Sequence, residues 1–261
     1  MKAKRAAGAG RAVKGAVALK DVVEYLDAVL RVGEITDYPH AVNGLQLENS
    51  GRVTKVAAAV DACETVIAEA VSTGVDLLVV HHGLFWSGLG PVRGAFHRKL
   101  KLAMENDLAI YSVHLPLDVH PRLGNNVLLA RALGIRKTQA FLDLGVQAAG
   151  DWALATLIEK VERAVQAPVH FAPGGPDRVR RLGIITGGAG GEVARAAAAG
   201  VDTFLTGEGA HWTFPLAEEL GVNLIYAGHY ATETFGVKAL GEELRRKFRL
   251  PWAFLDHPTG L

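Results

Sequence analysis

Two stretches of the chain read as copies of one another at a fixed distance. The first runs Lys55-Val56-Ala57-Ala58-Ala59-Val60, then a helical stretch, then Ser72-Thr73-Gly74-Val75-Asp76-Leu77-Leu78-Val79-Val80-His81-His82-Gly83. The second runs Arg181-Leu182-Gly183-Ile184-Ile185-Thr186, a helical stretch, then Ala198-Ala199-Gly200-Val201-Asp202-Thr203-Phe204-Leu205-Thr206-Gly207-Glu208-Gly209. The offset is 126 residues throughout (Asp76 to Asp202), with no gap. Each copy has the pattern of a strand, an Ala-rich helix, a glycine that ends the helix and a second apolar strand. Strands that are apolar along their whole length and separated by helices imply a parallel sheet covered on both faces.

A further pair follows at a different offset, 115 residues (His114 to His229). Ile110-Tyr111-Ser112-Val113-His114-Leu115-Pro116-Leu117-Asp118 matches Ile225-Tyr226-Ala227-Gly228-His229-Tyr230-Ala231-Thr232-Glu233. Both give a short strand, a histidine, three residues and a carboxylate. The expected fold is therefore α/β, with two similar lobes from an internal duplication, over residues 19–136 and 137–261. Chance likeness of two generic strand–helix–strand units is the alternative. At 261 residues and 49% hydrophobic content, the chain can bury one large core or two modest ones.

The class of function is bounded by charge and by what is missing. With 28 basic and 27 acidic residues, the formal net charge is +1, which argues against a dedicated nucleic-acid surface. No apolar run reaches the roughly 18 residues that a membrane helix needs. The single cysteine, Cys63, cannot form an intrachain disulfide and suits a reducing cytoplasm. Residues 1–18 are rich in Ala, Gly, Lys and Arg and hold no acid, so they read as a basic flexible tail, with an organelle transit peptide as the alternative.

In open α/β sheets the chemistry gathers beyond the carboxyl ends of the strands, where His81, His82 and Glu208 fall. Four of the ten histidines, His81, His82, His114 and His229, follow apolar strands. At a strand end, both rings of His81-His82 can turn outward toward two adjacent ions. Otherwise one ring packs in the core and the other caps the next turn. In His114-Leu115-Pro116-Leu117-Asp118, Pro116 favours an extended or turn backbone, and Asp118 can reach the same site. Structurally, the pair could simply brace its own loop. After Gly228 a helix is expected, with Thr232 as N-cap and Glu233 in the first turn. Glu233 then either bridges two ions or only complements the helix dipole.

Together these motifs put three histidines and two carboxylates at equivalent positions. So many titratable groups at one rim would be costly unless cations paired them, and two divalent ions would do so. Mixed imidazole and carboxylate ligation suits Zn, Mn, Fe, Co or Ni without choosing among them. Ions about 4 Å apart could serve a hydrolase; alternatively the site is structural, or belongs to a non-enzymatic metal-binding or regulatory protein. The Gly187-Gly188-Ala189-Gly190-Gly191 run reads as a flexible strand-to-helix turn rather than a phosphate loop, since it fits neither common phosphate-loop spacing. Glu208 and His211 are either acid–base groups or surface residues.

Several strings resemble one family. They are Val79-Val80-His81-His82-Gly83-Leu84-Phe85-Trp86, His114-Leu115-Pro116-Leu117-Asp118-Val119-His120-Pro121, Gly124-Asn125-Asn126 and Gly228-His229-Tyr230-Ala231-Thr232-Glu233, with Asn43-Gly44-Leu45-Gln46 and Thr206-Gly207-Glu208 beside them. They resemble the GTP cyclohydrolase 1 type 2 homologue family, also called the NGG-interacting-factor-three-like family, from Leu19 to the C-terminus. The resemblance implies a two-lobed α/β protein forming a toroidal homohexamer, with two divalent ions per subunit facing an inner cavity. It implies His81, His82, Asp118, His229 and Glu233 as the metal ligands, with Glu233 shared, and His114 beside the metals without ligating them. It also points to hydrolysis of a nucleotide-like substrate. The large domain that some members insert between the lobes has no room in this chain.

Overall fold

A computed structural model describes residues 15–86, 88 and 90–261. The first half contains β1 (Val17–Ala18), α1 (Leu19–Leu30), β2 (Gly44–Leu47), β3 (Arg52–Val53), β4 (Val56–Asp61), α2 (Glu64–Ser72), β5 (Leu77–His82), α3 (Gly94–Glu105), β6 (Ala109–Ser112), α4 (Leu115–Asp118) and α5 (Asn125–Ala132). The second contains β7 (Gln139–Phe141), β8 (Gly145–Ala153), α6 (Leu154–Val165), β9 (His170–Pro173), β10 (Arg178–Ile185), α7 (Val193–Ala198), β11 (Thr203–Thr206), α8 (Thr213–Leu220), β12 (Asn223–Tyr226), α9 (His229–Phe248) and β13 (Trp252–Phe254).

The strands build two main sheets, in the orders β13-β4-β5-β6-β2 and β7-β8-β10-β11-β12-β9. Each is centred on three parallel strands linked by helices, β4-β5-β6 and β10-β11-β12. Each carries an antiparallel strand beside the third, β2 on β6 and β9 on β12. The fold is therefore mixed α/β.

Strand β4 shows why the sequence takes this form. Val-Ala-Ala-Ala-Val is weak in β propensity, yet burial on both faces overrides that preference. Val56, Ala58 and Val60 join one core with Val22 and Leu26 of α1 and Leu240 of α9. Ala57 and Ala59 join a second core with Val66 and Ile67 of α2 and Ala103 of α3. The second sheet is sandwiched likewise, Leu182, Leu205 and Ile225 against α5 and α6, Phe204 and Leu224 against α7 and α8.

Three features differ from the sequence expectations. Val17 and Ala18, assigned to the tail, form β1 and pair with Val53 and Arg52; residues 1–14 of that tail lie outside the described residues. The chain beyond Tyr226 does not stay with a 137–261 lobe: α9 places Val237, Leu240 and Leu244 in the core of the first sheet, and β13 pairs with β4. Its apolar stripe is long enough to serve both cores, since Ala231 and Phe235 pack against the second. Finally, α9 begins at His229 rather than after Thr232. Gly228, with φ 85°, supplies the left-handed turn off β12 that starts the helix early. No helix among the described residues is long and apolar enough to cross a membrane.

Candidate metal centre

The carboxyl ends of β5 and β6 from one sheet and β11 and β12 from the other meet at a cluster of imidazoles and carboxylates. His81 and His82 end β5, with ring centroids 4.7 Å apart. His114 follows β6, its ring 4.9 Å from that of His81. Asp118 ends α4, where Pro116 sits in the first turn, a place that tolerates proline, so the stretch expected as extended or turn backbone is one turn of helix. His229 and Glu233 stand one turn apart on α9, which puts them on one face.

Glu233 is the hub. Its Oε1 lies 3.2 Å from His229 Nε2 and 3.5 Å from His81 Nε2, and its Oε2 lies 3.3 Å from His82 Nε2. Asp118 Oδ2 is 3.5 Å from His81 Nε2. Donor atoms of His81, His82 and His114 all fall within 4.8 Å of one another, as do those of His82, His229 and Glu233. The structure thus brings together all five residues expected as ligands, with His114 beside them.

Whether these residues fit a metal can be judged from the atoms themselves. Among the described residues, the buried His81 Nε2 and Glu233 Oε2 have no hydrogen-bond partner, an arrangement that costs free energy unless a cation lies between them. Two ligands each about 2.1 Å from a tetrahedral ion stand roughly 3.4 Å apart, close to the spacings around Glu233. All four imidazoles also engage Nδ1 elsewhere, and His81, His82 and His229 turn Nε2 to Glu233. His81 Nδ1 is 2.9 Å from Val113 O, His82 Nδ1 2.8 Å from Asp61 Oδ1, His114 Nδ1 2.9 Å from Asp37 Oδ1 and His229 Nδ1 2.8 Å from Glu208 Oε1. Acceptors at Nδ1 select the tautomer whose Nε2 lone pair can ligate. The donor set fits divalent metal.

The electrostatics lead to the same conclusion. Burial would depress the basicity of His81, but Asp118 and Glu233 overcome it and push its pKa up to about 10. His229, likewise opposed by burial, is raised to about 9 by Glu233 and Glu208. Burial also works against the Glu233 anion, yet His81, His229 and His82 hold its pKa well below the usual carboxylate range. Asp118 is raised, by burial first and by the Glu233 charge. Without metal, the pocket supplies its missing positive charge as protons.

The surrounding residues explain the sequence motifs. Asn125 Nδ2 donates to Asp118 Oδ1 at 2.7 Å, while Asn125 Oδ1 accepts from Gly236 N of α9. Asn126 Oδ1 accepts from Thr186 N beyond β10, so the Asn-Asn pair ties both sheets to the metal rim. A Cβ at Gly124 would meet the carbonyls of His120, Asp118 and Leu117 at 2.5–2.7 Å. Asn43 Oδ1 accepts from His114 N at 2.7 Å. The Gly187–Gly191 run is the wall of the site rather than only a turn: Gly187 has φ 72°, and a Cβ there would overlap Glu233 Oε1. Glu208 holds His229, whereas His211 is exposed and away from the cluster.

Sequence reasoning missed Asp37 and Asp61. Asp37 accepts four hydrogen bonds, from His114 Nδ1, Asn43 Nδ2, Tyr38 N and Leu115 N. Despite burial, those donors lower its pKa to about 2. Its one trace in the sequence is an acid six residues before Asn43. Asp61, at the end of β4, has a signal of its own: it is an acid closing an otherwise apolar strand.

The pocket over the cluster encloses about 360 Å³. Tyr38 and Trp86, both substantially exposed, line it together with Leu142 and Ile185. Arg195 stands at the rim, paired with Asp143 and Glu192.

Comparison with known proteins fits this architecture. The family model Duf34/NIF3 (NGG1p interacting factor 3) matches residues 17–259. A Deinococcus radiodurans protein named GTP cyclohydrolase 1 type 2 homolog is 37% identical over 255 residues, covering 95% of this chain and 96% of the relative. A Pseudomonas aeruginosa protein of the same name is 39% identical, covering 94% and 99%. The crystal structure of TTHA1606 from Thermus thermophilus superposes with a TM-score of 0.88 at 40% identity, covering 94% of this chain and 100% of that one. With that match along nearly its whole length, the chain belongs to the Duf34/NIF3 (NGG1p interacting factor 3) family.

Proposed function

We propose that the chain holds two divalent metal ions through His81, His82, Asp118, His229 and Glu233 and hydrolyses a nucleotide-like substrate there. The observation that carries the reading is the orientation of the imidazoles. Each of the four has its Nδ1 engaged by an acceptor, while Nε2 of His81, His82 and His229 stands 3.2–3.5 Å from the buried Glu233 carboxylate and that of His81 also 3.5 Å from Asp118. Zn, Mn, Fe, Co and Ni all suit this donor set. The matching order of the three parallel strands and the antiparallel strand beside the third in each sheet, with the 126-residue offset between the first pair of repeats, supports an internal duplication that placed the site between equivalent strand ends.

Bound there, a pair of divalent ions supplies Lewis acidity and activates water at neutral pH. The chain's own residues do the rest. Glu233 would help hold the ions, since its two oxygens face different imidazoles. Asn125 fixes Asp118 through one oxygen and leaves the other toward His81. Tyr38 and Trp86 give the pocket aromatic lining suited to a planar base, beside Leu142 and Ile185, in a volume of nucleoside size. Metal-loaded protein should therefore hydrolyse a member of a nucleotide and phosphoester panel, and Glu233→Ala should abolish turnover. Failure of every substrate would remove the hydrolase reading.

A second reading has its own support. The side chains of His82 and His229 are 22% and 30% exposed, which suits exchange of metal with an acceptor in a non-enzymatic or regulatory role. Rapid transfer of metal to an acceptor without any turnover would favour it. The family resemblance also leads us to propose a homohexamer, to be checked by sedimentation. A cytoplasmic location is proposed on the single unpaired cysteine, Cys63.

A further inference from the structure

We propose that Asp61 and Glu208 are positioning residues of the metal centre, each holding one ligand imidazole in the tautomer that presents Nε2 to the ions. The inference rests on the metal-binding reading above. Asp61 Oδ1 stands 2.8 Å from His82 Nδ1, and Glu208 Oε1 stands 2.8 Å from His229 Nδ1.

Both carboxylates are part-exposed, at 34% and 44% for the side chain, and could be fully hydrated. Instead each turns inward to one imidazole, and among the described residues neither side chain makes another hydrogen bond. They brace no loop and cap no helix. Asp37 differs: it serves His114 but also holds Asn43 and two backbone amides, so its removal would disturb the local chain. His81 differs again, since its Nδ1 faces the Val113 carbonyl, which no substitution deletes.

A neutral imidazole carries one proton and divides between two tautomers of similar energy. An acceptor at Nδ1 takes that proton's hydrogen bond and commits the lone pair to Nε2. A carboxylate acceptor also raises the basicity of Nε2, which strengthens the bond to a cation. The two residues act from opposite sheets, Asp61 at the end of β4 and Glu208 just past β11. The two ring orientations are thus set independently, one from each side of the cleft.

The test measures zinc affinity by competition with a chromophoric chelator, and the tautomers of His82 and His229 by two-bond 15N–1H correlation on metal-free protein at alkaline pH, above the raised pKa of His229, where the imidazole is neutral. Asp61→Ala and Glu208→Ala should each weaken zinc binding about ten- to a hundredfold. Each should also return its own imidazole toward the Nε2–H tautomer, with the melting temperature close to wild type. Asp61→Asn and Glu208→Gln keep an oxygen acceptor and should retain most of the affinity and the Nδ1–H tautomer. Alanine variants that bind zinc like wild type, or that leave the tautomers unchanged, would overturn the proposal. Wild-type protein that takes up no zinc while Asp61→Ala still shifts the His82 tautomer would instead overturn the metal reading and leave the positioning role standing.

Discussion

Glu233 stands between His82 and His229, its two carboxylate oxygens 3.3 Å and 3.2 Å from their Nε2 atoms, although one imidazole ends a strand of the first sheet and the other opens the helix leaving the second. The Glu233 side chain is only 4% exposed. A carboxylate so deeply buried needs compensating charge, and the ligands that would supply a metal to it come from both sheets.

Metal binding should therefore stabilise the whole fold. At a hundred times the dissociation constant, an ion that binds only the native state adds about 2.7 kcal/mol. A chelator should lower the melting temperature of wild-type protein by several degrees. Glu233→Gln, which keeps the shape but removes the charge, should melt at one temperature with or without chelator. Differential scanning fluorimetry checks both. Equal sensitivity of the two proteins would show that Glu233 is not a ligand.

Gly187 should prove as important to the centre as a ligand. Alanine there must adopt φ near 72° and would push its Cβ into Glu233 Oε1. The backbone strain alone costs about 1–2 kcal/mol, and the displaced carboxylate should cost metal binding. Gly191→Ala is the control, since a Cβ there meets nothing nearer than Trp212 at 3.9 Å. Metal content by inductively coupled plasma mass spectrometry should fall in the first variant and not in the second. Undiminished metal in Gly187→Ala would mean that Glu233 can shift without consequence.

The mixed α/β character and the cluster are legible in the sequence because they leave periodic or paired marks. Strands β4, β5 and β11 are short, mostly apolar runs closed by polar residues; His81 and His82 end β5, and His114 and His229 follow β6 and β12 within three residues. The role of Asp37 is hidden, because a loop acid 77 residues from its imidazole partner carries no local pattern. The start of α9 differs from expectation for a physical reason. Thr232 looks like a cap, but its hydroxyl instead accepts from Gly187 N across the site, and Gly228 makes the turn. The return of β13 to β4 depends on packing against Trp252, which no periodicity in the last residues announces.

A pH dependence should arise away from the metal centre. Glu243 is buried, which favours its neutral form, but Arg246, Tyr25 and Arg122 donate to it and hold its pKa at about 2. A folded-state value below the usual carboxylate value means stability that is fully present above about pH 4.5 and is lost as pH falls toward 2. The two guanidiniums are 54% and 62% exposed, so solvent screening reduces the gain to about 1–2 kcal/mol. Urea unfolding of metal-free wild type between about pH 5 and 3 should show this loss, and Glu243→Gln should show less of it. Parallel slopes for the two proteins would assign the acid sensitivity elsewhere.

The helix α9 should make the two sheets melt as one unit. Its first turns carry His229 and Glu233 and pack Ala231 and Phe235 against the second core, while Val237, Leu240 and Leu244 fill the first. Leu240 is fully buried, so Leu240→Ala should cost about 2–5 kcal/mol through lost burial and an unfilled cavity. If the helix couples the cores, that loss lowers the melting of both together, and calorimetry of the metal-free variant shows a single transition moved to lower temperature. Two resolved transitions, with the upper one unmoved, would mean that the second sheet holds its structure without the far half of α9. The metal would then be the main link between the sheets, and adding zinc should merge the two transitions.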